Sequence, residues 1–191
     1  YAGRNANESS TDDDPNNDVA DDVLFRIYRI CRNSTYDTDF PESAPKMLWY
    51  KDIGEVVMHS DLAHTADNLM LGFRSSTFGS GSHTLADQNS FNLLYGGKEV
   101  YYHSGYYTSF SDAHTLTSYR HTRAHNTFLV NGIGQAFTTE AYGMMLRAAG
   151  GSHIAYALGD ASEAYCGISD DPMWVKNFEN AGIAQTPENG F

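Results

Sequence analysis

Short runs of alternating apolar and polar residues fill most of the chain, and they predict β-strands. In Ser90–Tyr95, for example, Phe91, Leu93 and Tyr95 alternate with Asn92, as in a strand with one buried face. Gly, Asn, Asp and Ser separate the runs, and Tyr95-Gly96-Gly97-Lys98 predicts a hairpin turn. The predicted strands are Met47–Tyr50, Val56–Ser60, Asn68–Arg74, Ser90–Tyr95, Glu99–Tyr102, Thr127–Val130, Met144–Ala148 and His153–Leu158. Regularly spaced short strands predict a mainly β, antiparallel sandwich or barrel.

The two ends of the chain lack this pattern. The first 17 residues are almost free of apolar side chains, and Val23, Ile27 and Ile30 then recur at helical spacing. Pro41 and Pro45 end that periodicity, so residues 1–46 are predicted as an acidic tail, one helix and a linker, with residues 47–191 as the β domain. Residues 168–191 are predicted to be a long loop. Because no closing strand follows, we expect the sheet to be completed by further sequence or another chain.

The charge of the chain narrows its possible partners. The formal net charge is −12, and half of it lies in the first 22 residues. An acidic body argues against nucleic acid, because phosphate binding needs a basic surface. The interval His103–His125 is the exception, since it holds Arg120 and Arg123 with Asp112 as its single acid. An acidic sugar polymer therefore remains a possible partner. No apolar run reaches the roughly 18 residues that a membrane span needs.

Cys31 and Cys166 are the two cysteines. They lie far apart in sequence, so spacing alone leaves a disulfide or two free thiols open. We expect two buried free thiols, because free cysteine is among the residue types most often found inside proteins.

Three histidines lie on or beside the predicted strands and are the candidate chemistry of the chain. His83 ends a Gly-Ser loop, where catalytic side chains are common, although a loop histidine bonded to backbone is the plain alternative. His103 follows one strand and His125 opens another, so they can supply two imidazole ligands to zinc. The candidates for a third ligand are Asp87, His121 and His83.

Three segments carry a family resemblance: G-S-G-S-H-T-L-A-D-Q-N-S-F over 79–91, G-K-E-V-Y-Y-H-S-G-Y-Y over 97–107, and T-R-A-H-N-T-F-L-V-N-G-I-G-Q over 122–135. Together they resemble the central β-sandwich of the heparinase II/III-like polysaccharide lyases, which include alginate lyases. The resemblance implies an (α/α) toroid before the sandwich, whose last helix the 23–31 segment resembles. It also implies a fragment of a larger, secreted or periplasmic enzyme.

The resemblance assigns residues within this pattern. His83 matches the histidine at the catalytic cleft, and His125 matches a zinc ligand. His103 stands where the family has an aspartate ligand, and Leu85 stands where it has a histidine ligand. The resemblance thus implies a zinc site at His103 and His125, with Leu85 at one of the family's ligand positions. We also predict catalytic roles for Tyr107 and Arg123, and substrate contacts for Gln88, Asn89 and Arg120.

The implied reaction is β-elimination on a uronic-acid-containing polysaccharide, of the alginate or heparin/heparan type. Such a reaction requires neutralising a carboxylate, removing the C5 proton and protonating the leaving O4 oxygen. Because the family's toroid supplies further essential groups, the 191 residues alone are expected to be nearly inactive. The alternative is a non-catalytic carbohydrate-binding or structural sandwich with a degenerate site. A cupin-like metal isomerase is more remote, because no suitable glutamate lies beside His103 or His125.

Overall fold

The computed structural model describes residues 45–81, 83–105, 109, 111–167 and 169–186. The predicted helix of residues 23–31 lies outside the described residues. The predicted domain boundary at residue 46 lies at their N-terminal edge. In this part of the chain the fold is mainly antiparallel β-sheet, as predicted, with one α-helix where the sequence had predicted a loop. The elements are β1 Met47–Tyr50, β2 Glu55–His59, β3 Leu69–Arg74, β4 Ser90–Tyr95, β5 Lys98–Tyr101, β6 Met144–Gly150, β7 Ala155–Asp160 and α1 Pro172–Ala181.

Strands β1 to β5 form a five-stranded antiparallel meander in sequence order, and β6 pairs with β7 as a separate hairpin. The turn between β4 and β5 uses Gly96 and Gly97 at φ 55° and 74°. Two consecutive positive φ values define the type I′ turn that the Gly-Gly pair predicts. The hairpin of β6 and β7 approaches β1, because a Cβ on Gly150 would lie 3.1 Å from the Cβ of Met47.

The register of the meander divides its side chains between two faces. One face is lined by Val56, Phe73 and Phe91, which are cross-strand partners of one another. The opposite face carries Glu55, Val57, Gly72, Arg74, Ser90 and Asn92, and we call it the polar face. Because side chains alternate along a strand, the side chains of the polar face all point to the same side of the sheet.

The predicted long loop at residues 168–191 is wrong, because Pro172–Ala181 is helical. Asp171 caps the helix by accepting a hydrogen bond from the Met173 N–H at 2.9 Å, and Pro172 occupies the first turn. Gly182 ends it at φ 67°. The helix buries Trp174 and Phe178 against a core whose other members are Ala86, Leu116 and Phe137.

The predicted strand Thr127–Val130 is also wrong. That segment makes a single bridge, between Val130 and Ile133, and Phe128 is 74% exposed. Before it, the chain forms a π-helical turn, Thr115–Tyr119, and a 3₁₀ turn, Thr122–Ala124. A second 3₁₀ turn spans Ser162–Tyr165. Among the described residues, no helix is long and apolar enough to cross a membrane.

Cys166 is a free thiol on the surface, so the expectation of burial is wrong for this residue. Partial burial of the sulfur raises its pKa. Cys31 lies outside the described residues.

Candidate functional site

His83 lies on the loop between β3 and β4, and its side chain is exposed. The loop is anchored before it, because the Ser80 hydroxyl donates to the Ala136 carbonyl at 2.8 Å and the Ser80 N–H donates to Thr138 at 2.9 Å. Gly79 is needed there, since a Cβ would lie 2.4 Å from the Thr138 carbonyl oxygen. These contacts hold the backbone that presents His83.

His83 opens onto a cleft of about 350 Å³. The cleft is lined by Ile53, Glu55, Arg74, Ser76, Phe78, His83, Thr84, Leu85 and Asp87. A second cleft, of about 250 Å³, adjoins it on the polar face of the meander. The two share Glu55, Arg74 and Asp87. We call them the His83 cleft and the sheet cleft.

Arg74 and Asp87 form an ion pair where the two clefts meet. The Arg74 Nη1 donates to Asp87 Oδ1 at 3.0 Å, and the side chains are 18% and 13% exposed. Arg74 ends β3, directly opposite Glu55 on β2. Sequence reasoning missed Arg74 and considered Asp87 only as a metal ligand. The polar residue that closes the apolar run of β3 was the available signal.

Gln88 faces the protein interior and is only 1% exposed. Its side-chain oxygen accepts from the Ser76 N–H at 2.7 Å, and its amide nitrogen donates to the Phe78 carbonyl at 2.8 Å. Its backbone is held by Gln135, whose Oε1 accepts from the Gln88 N–H at 2.7 Å and whose Nε2 donates to the Gln88 carbonyl at 2.9 Å. These bonds give Gln88 a structural role, and its predicted contact with substrate stays a prediction.

Asn89 points towards β7. It adopts a positive φ of 56°, and its amide nitrogen donates to the Gly159 carbonyl at 3.1 Å. It lines a shallow depression with Leu146, Leu158 and Tyr165, and it is absent from the lining of the His83 cleft. The structure therefore separates Asn89 from His83, which sequence proximity had grouped together.

Arg120 is also interior, at 1% exposed. Its guanidinium carbon lies 4.3 Å from the centre of the Trp174 ring, and Nη2 donates to the Thr84 carbonyl. This geometry gives Arg120 a packing role beneath the loop of His83. Arg120 lines neither of the two clefts, and its predicted contact with substrate stays a prediction.

Arg123 is exposed, and its side chain contacts the nearby His121. Its backbone N–H and its Nε both donate to His121 Nδ1, at 3.0 and 3.1 Å. His121 is fully buried and caps the 3₁₀ turn through this same nitrogen. Arg123 lines neither of the two clefts. Tyr107, the other predicted catalytic residue, lies outside the described residues.

His103 and His125 are brought together, with ring centres 5.7 Å apart and planes inclined by 24°. The Nε2 of His125 lies 3.1 Å from the Tyr119 carbonyl, which only accepts, so Nε2 carries the proton. Burial lowers the pKa of His125, and the nearby Asp87 carboxylate opposes that shift. The side chain is therefore a neutral imidazole whose Nδ1 lone pair is left for a ligand or a donor.

A neutral imidazole held by a carbonyl is the form that binds zinc in proteins. However, no group of three His, Cys, Asp or Glu side chains able to hold a metal ion is found in the described part of the chain. Leu85, at the family's other histidine position, lines the His83 cleft without offering a ligand atom. Two imidazoles fall short of the zinc coordination seen in proteins, so zinc stays a prediction.

A family model described as heparinase II/III-like, C-terminal, matches residues 43–168. Among solved structures, the chain is similar to one titled "Crystal Structure of Heparinase III", with 19% sequence identity and a TM-score of 0.46. That match covers 64% of this chain and 19% of the other, so this chain spans about a fifth of that protein. No curated protein matches the sequence.

Proposed function

Because the chain belongs to the heparinase II/III-like, C-terminal family, as its resemblance predicted, we propose that it is the β-sandwich part of a polysaccharide lyase. The substrate is a polymer containing uronic acid, and the reaction is β-elimination. The observation that carries the proposal is the presentation of His83, on an anchored loop, at a polar cleft that also holds Arg74.

The first requirement of the reaction is to neutralise the uronate carboxylate, because this increases the acidity of the C5 proton. Among the described residues that line the two clefts, Arg74 is the only arginine or lysine. Its Nη1 is used by Asp87, and a guanidinium carries four further N–H groups in a planar fork. Arg74 is therefore the proposed partner of the uronate carboxylate.

The second requirement is a base for the C5 proton. A histidine is suited to it because its ordinary pKa lies near neutrality. With Arg74 stabilising the carboxylate, His83 is the proposed base. The departing O4 oxygen needs a proton donor, and Tyr107 remains our candidate for it. We also expect groups from a toroid domain to contribute, so that this chain alone cleaves little polymer.

A non-catalytic carbohydrate-binding sandwich is the second candidate. Leu85 favours it, since the resemblance implies a metal ligand at that position. Both candidates predict that the chain binds an acidic polysaccharide, whereas only the first predicts that His83 is needed for turnover.

The test is His83→Ala in the full-length protein, with His64→Ala as the matched control. His64 is exposed and bonded to Asp61 at 2.9 Å, and it lines neither cleft. We expect His83→Ala to lower the rate of cleavage of uronate polymers by at least about 100-fold. Cleavage is measured by the absorbance of the unsaturated product. Polymer binding and the His64→Ala activity should remain. Full turnover in His83→Ala contradicts the lyase assignment of this residue, and polymer binding without any turnover in the native protein favours the second candidate.

A further inference from the structure

A further cleft lies between the meander and the turn that joins β6 to β7. Its volume is about 350 Å³. Small-molecule sites in proteins have volumes of roughly 300–1,000 Å³, so the cleft is large enough to hold a ligand. We call it the His153 cleft, and the residues that line it include Lys46, Met58, His59, Leu69, Ser152 and His153. None of its described lining residues belongs to the His83 cleft or the sheet cleft.

The floor of the His153 cleft is apolar. Met58 lies two residues beyond Val56 on β2, so its side chain points to the face that Val56 lines, opposite the polar face. Leu71, which is the partner of Met58 on β3, and Leu69 lie on that same face. Leu69 is paired with Tyr95, whose side chain is half exposed. Aliphatic side chains beside an exposed tyrosine ring suit the C–H face of a sugar.

The rim of the cleft carries hydrogen-bond donors. Lys46 supplies an exposed ammonium group, and Ser152 and His153 lie in the turn between β6 and β7. The Asn68 amide nitrogen donates to His59 Nδ1 at 2.9 Å, so the neutral His59 ring carries its proton on Nε2. The rim therefore combines one permanent cation with a hydroxyl and two imidazoles.

Charge distinguishes the His153 cleft from the other two. Glu55 and Asp87 line both the His83 cleft and the sheet cleft, whereas none of the described residues that line the His153 cleft is acidic. With neutral histidines, Lys46 leaves this lining with one positive charge, in a chain whose formal net charge is −12. Charge complementarity therefore favours an anionic ligand in this cleft.

We propose that the His153 cleft is a second, non-catalytic binding site for an acidic polysaccharide, in which Lys46 holds a uronate carboxylate. The apolar floor contacts the C–H face of the sugar, and the rim donates to its hydroxyls. This inference rests on the proposed function, since it assigns the same class of polymer to a second place. The cleft lies on the opposite face of the meander from Arg74, so it retains the polymer without taking part in the elimination.

The test uses the full-length protein carrying His83→Ala, which should bind a polyuronate without cutting it. Lys46→Ala and His153→Ala are added together to this background. Lys176→Ala is the matched control, because Lys176 is an exposed lysine of α1 that lines none of the three clefts. We expect the double substitution to weaken polyuronate binding, measured by calorimetry, at least about tenfold, and the control to leave it unchanged. Thermal midpoints should match, because the substituted side chains are exposed.

Cleavage of a short oligouronate is measured separately, with His83 intact, and the double substitution should leave its rate at the native value. Unchanged polyuronate affinity in the double variant overturns the second site, as does an equal loss in Lys176→Ala. Equally tight binding of dextran, a neutral polymer, overturns recognition of the carboxylate. A slower cleavage of the short oligouronate overturns the non-catalytic assignment. Polyuronate binding that depends on Lys46 and His153, in a protein that never cleaves, retains this site and refutes the lyase, so the two failures are distinguishable.

Discussion

Arg74 and Asp87 are thirteen residues apart in sequence, yet their side chains meet at 3.0 Å at the junction of the two clefts. The pair joins the end of β3 to the loop that carries His83, so it fixes the position of the cleft's permanent cation relative to its histidine. Both side chains are largely buried, so removing one charge leaves the other without compensation.

We expect Asp87→Asn to lower the free energy of unfolding by about 1–2 kcal/mol, less than for a fully buried pair because some solvent reaches it. Urea denaturation measures this change. Asp61→Asn is the matched control, since the Asp61–His64 pair is exposed and should contribute much less to stability. Equal effects of the two substitutions would show that the Arg74–Asp87 pair has no special weight.

The reciprocal amide contacts of Gln88 and Gln135 support the same loop. Gln135→Ala removes the acceptor of the buried Gln88 N–H, and an unsatisfied buried donor costs about 1–3 kcal/mol. We therefore expect a clearly lower urea midpoint and a loss of activity. Gln185→Ala, which removes one partly buried bond to Val175, should cost less. An unchanged midpoint in Gln135→Ala contradicts the structural role of the pair.

Arg120 and Arg123 are predicted to respond differently to the same change. Arg120→Gln removes a buried cation stacked on Trp174, and we expect destabilisation of at least about 2 kcal/mol. Arg123→Gln alters an exposed side chain and removes one hydrogen bond to the buried His121, so we expect a smaller loss of about 0.5–1.5 kcal/mol. Thermal unfolding of both variants provides the measurement. The assignment of Arg120 to packing fails if its variant is stable but has lost only substrate affinity.

Asp160 provides a pH-dependent prediction. Its carboxylate accepts from the Ser162 hydroxyl at 2.6 Å and from the Ser162 N–H at 2.9 Å, which lowers its pKa. Because the pKa is lower in the folded state, the ionised carboxylate stabilises the fold at pH values above the unfolded-state pKa of about 3.9. This stabilisation is lost as the pH falls through the folded-state pKa. Ser162→Ala should raise the pKa of Asp160, and an NMR titration of the carboxyl group measures this change. An identical titration in both proteins would contradict this cause.

The strands were predictable because alternation and turn residues act locally. The segment Thr127–Val130 misled because its apolar side chains suggest a strand, whereas Phe128 and Val130 are exposed in a loop. The helix Pro172–Ala181 was missed although Asp171-Pro172 and Gly182 mark its ends. The asparagines and glycine of this segment indicated a loop. The helical signal was the i, i+4 spacing of Trp174 and Phe178, which pack into the core.

The candidate site was less predictable because it depends on contacts between distant segments. His83 could be selected from its loop and its resemblance, and the proximity of His103 and His125 was anticipated. The burial of Arg120 could not be anticipated, because a charged residue between polar neighbours usually indicates surface. Arg74 was marked locally only as the polar residue that closes the apolar run of β3, whereas its position opposite Glu55 and Ser90 follows from the register of β2, β3 and β4.

The most direct test of the account is NMR mapping of a uronate-containing oligosaccharide onto the ¹⁵N-labelled chain. The account predicts saturable shifts at the amides around His83, Asp87 and Arg74, with the Asn89 and Tyr165 depression unaffected. Shifts confined to that depression, or none at saturating oligosaccharide, would contradict the assignment of the His83 cleft as the place where this family member binds its polymer.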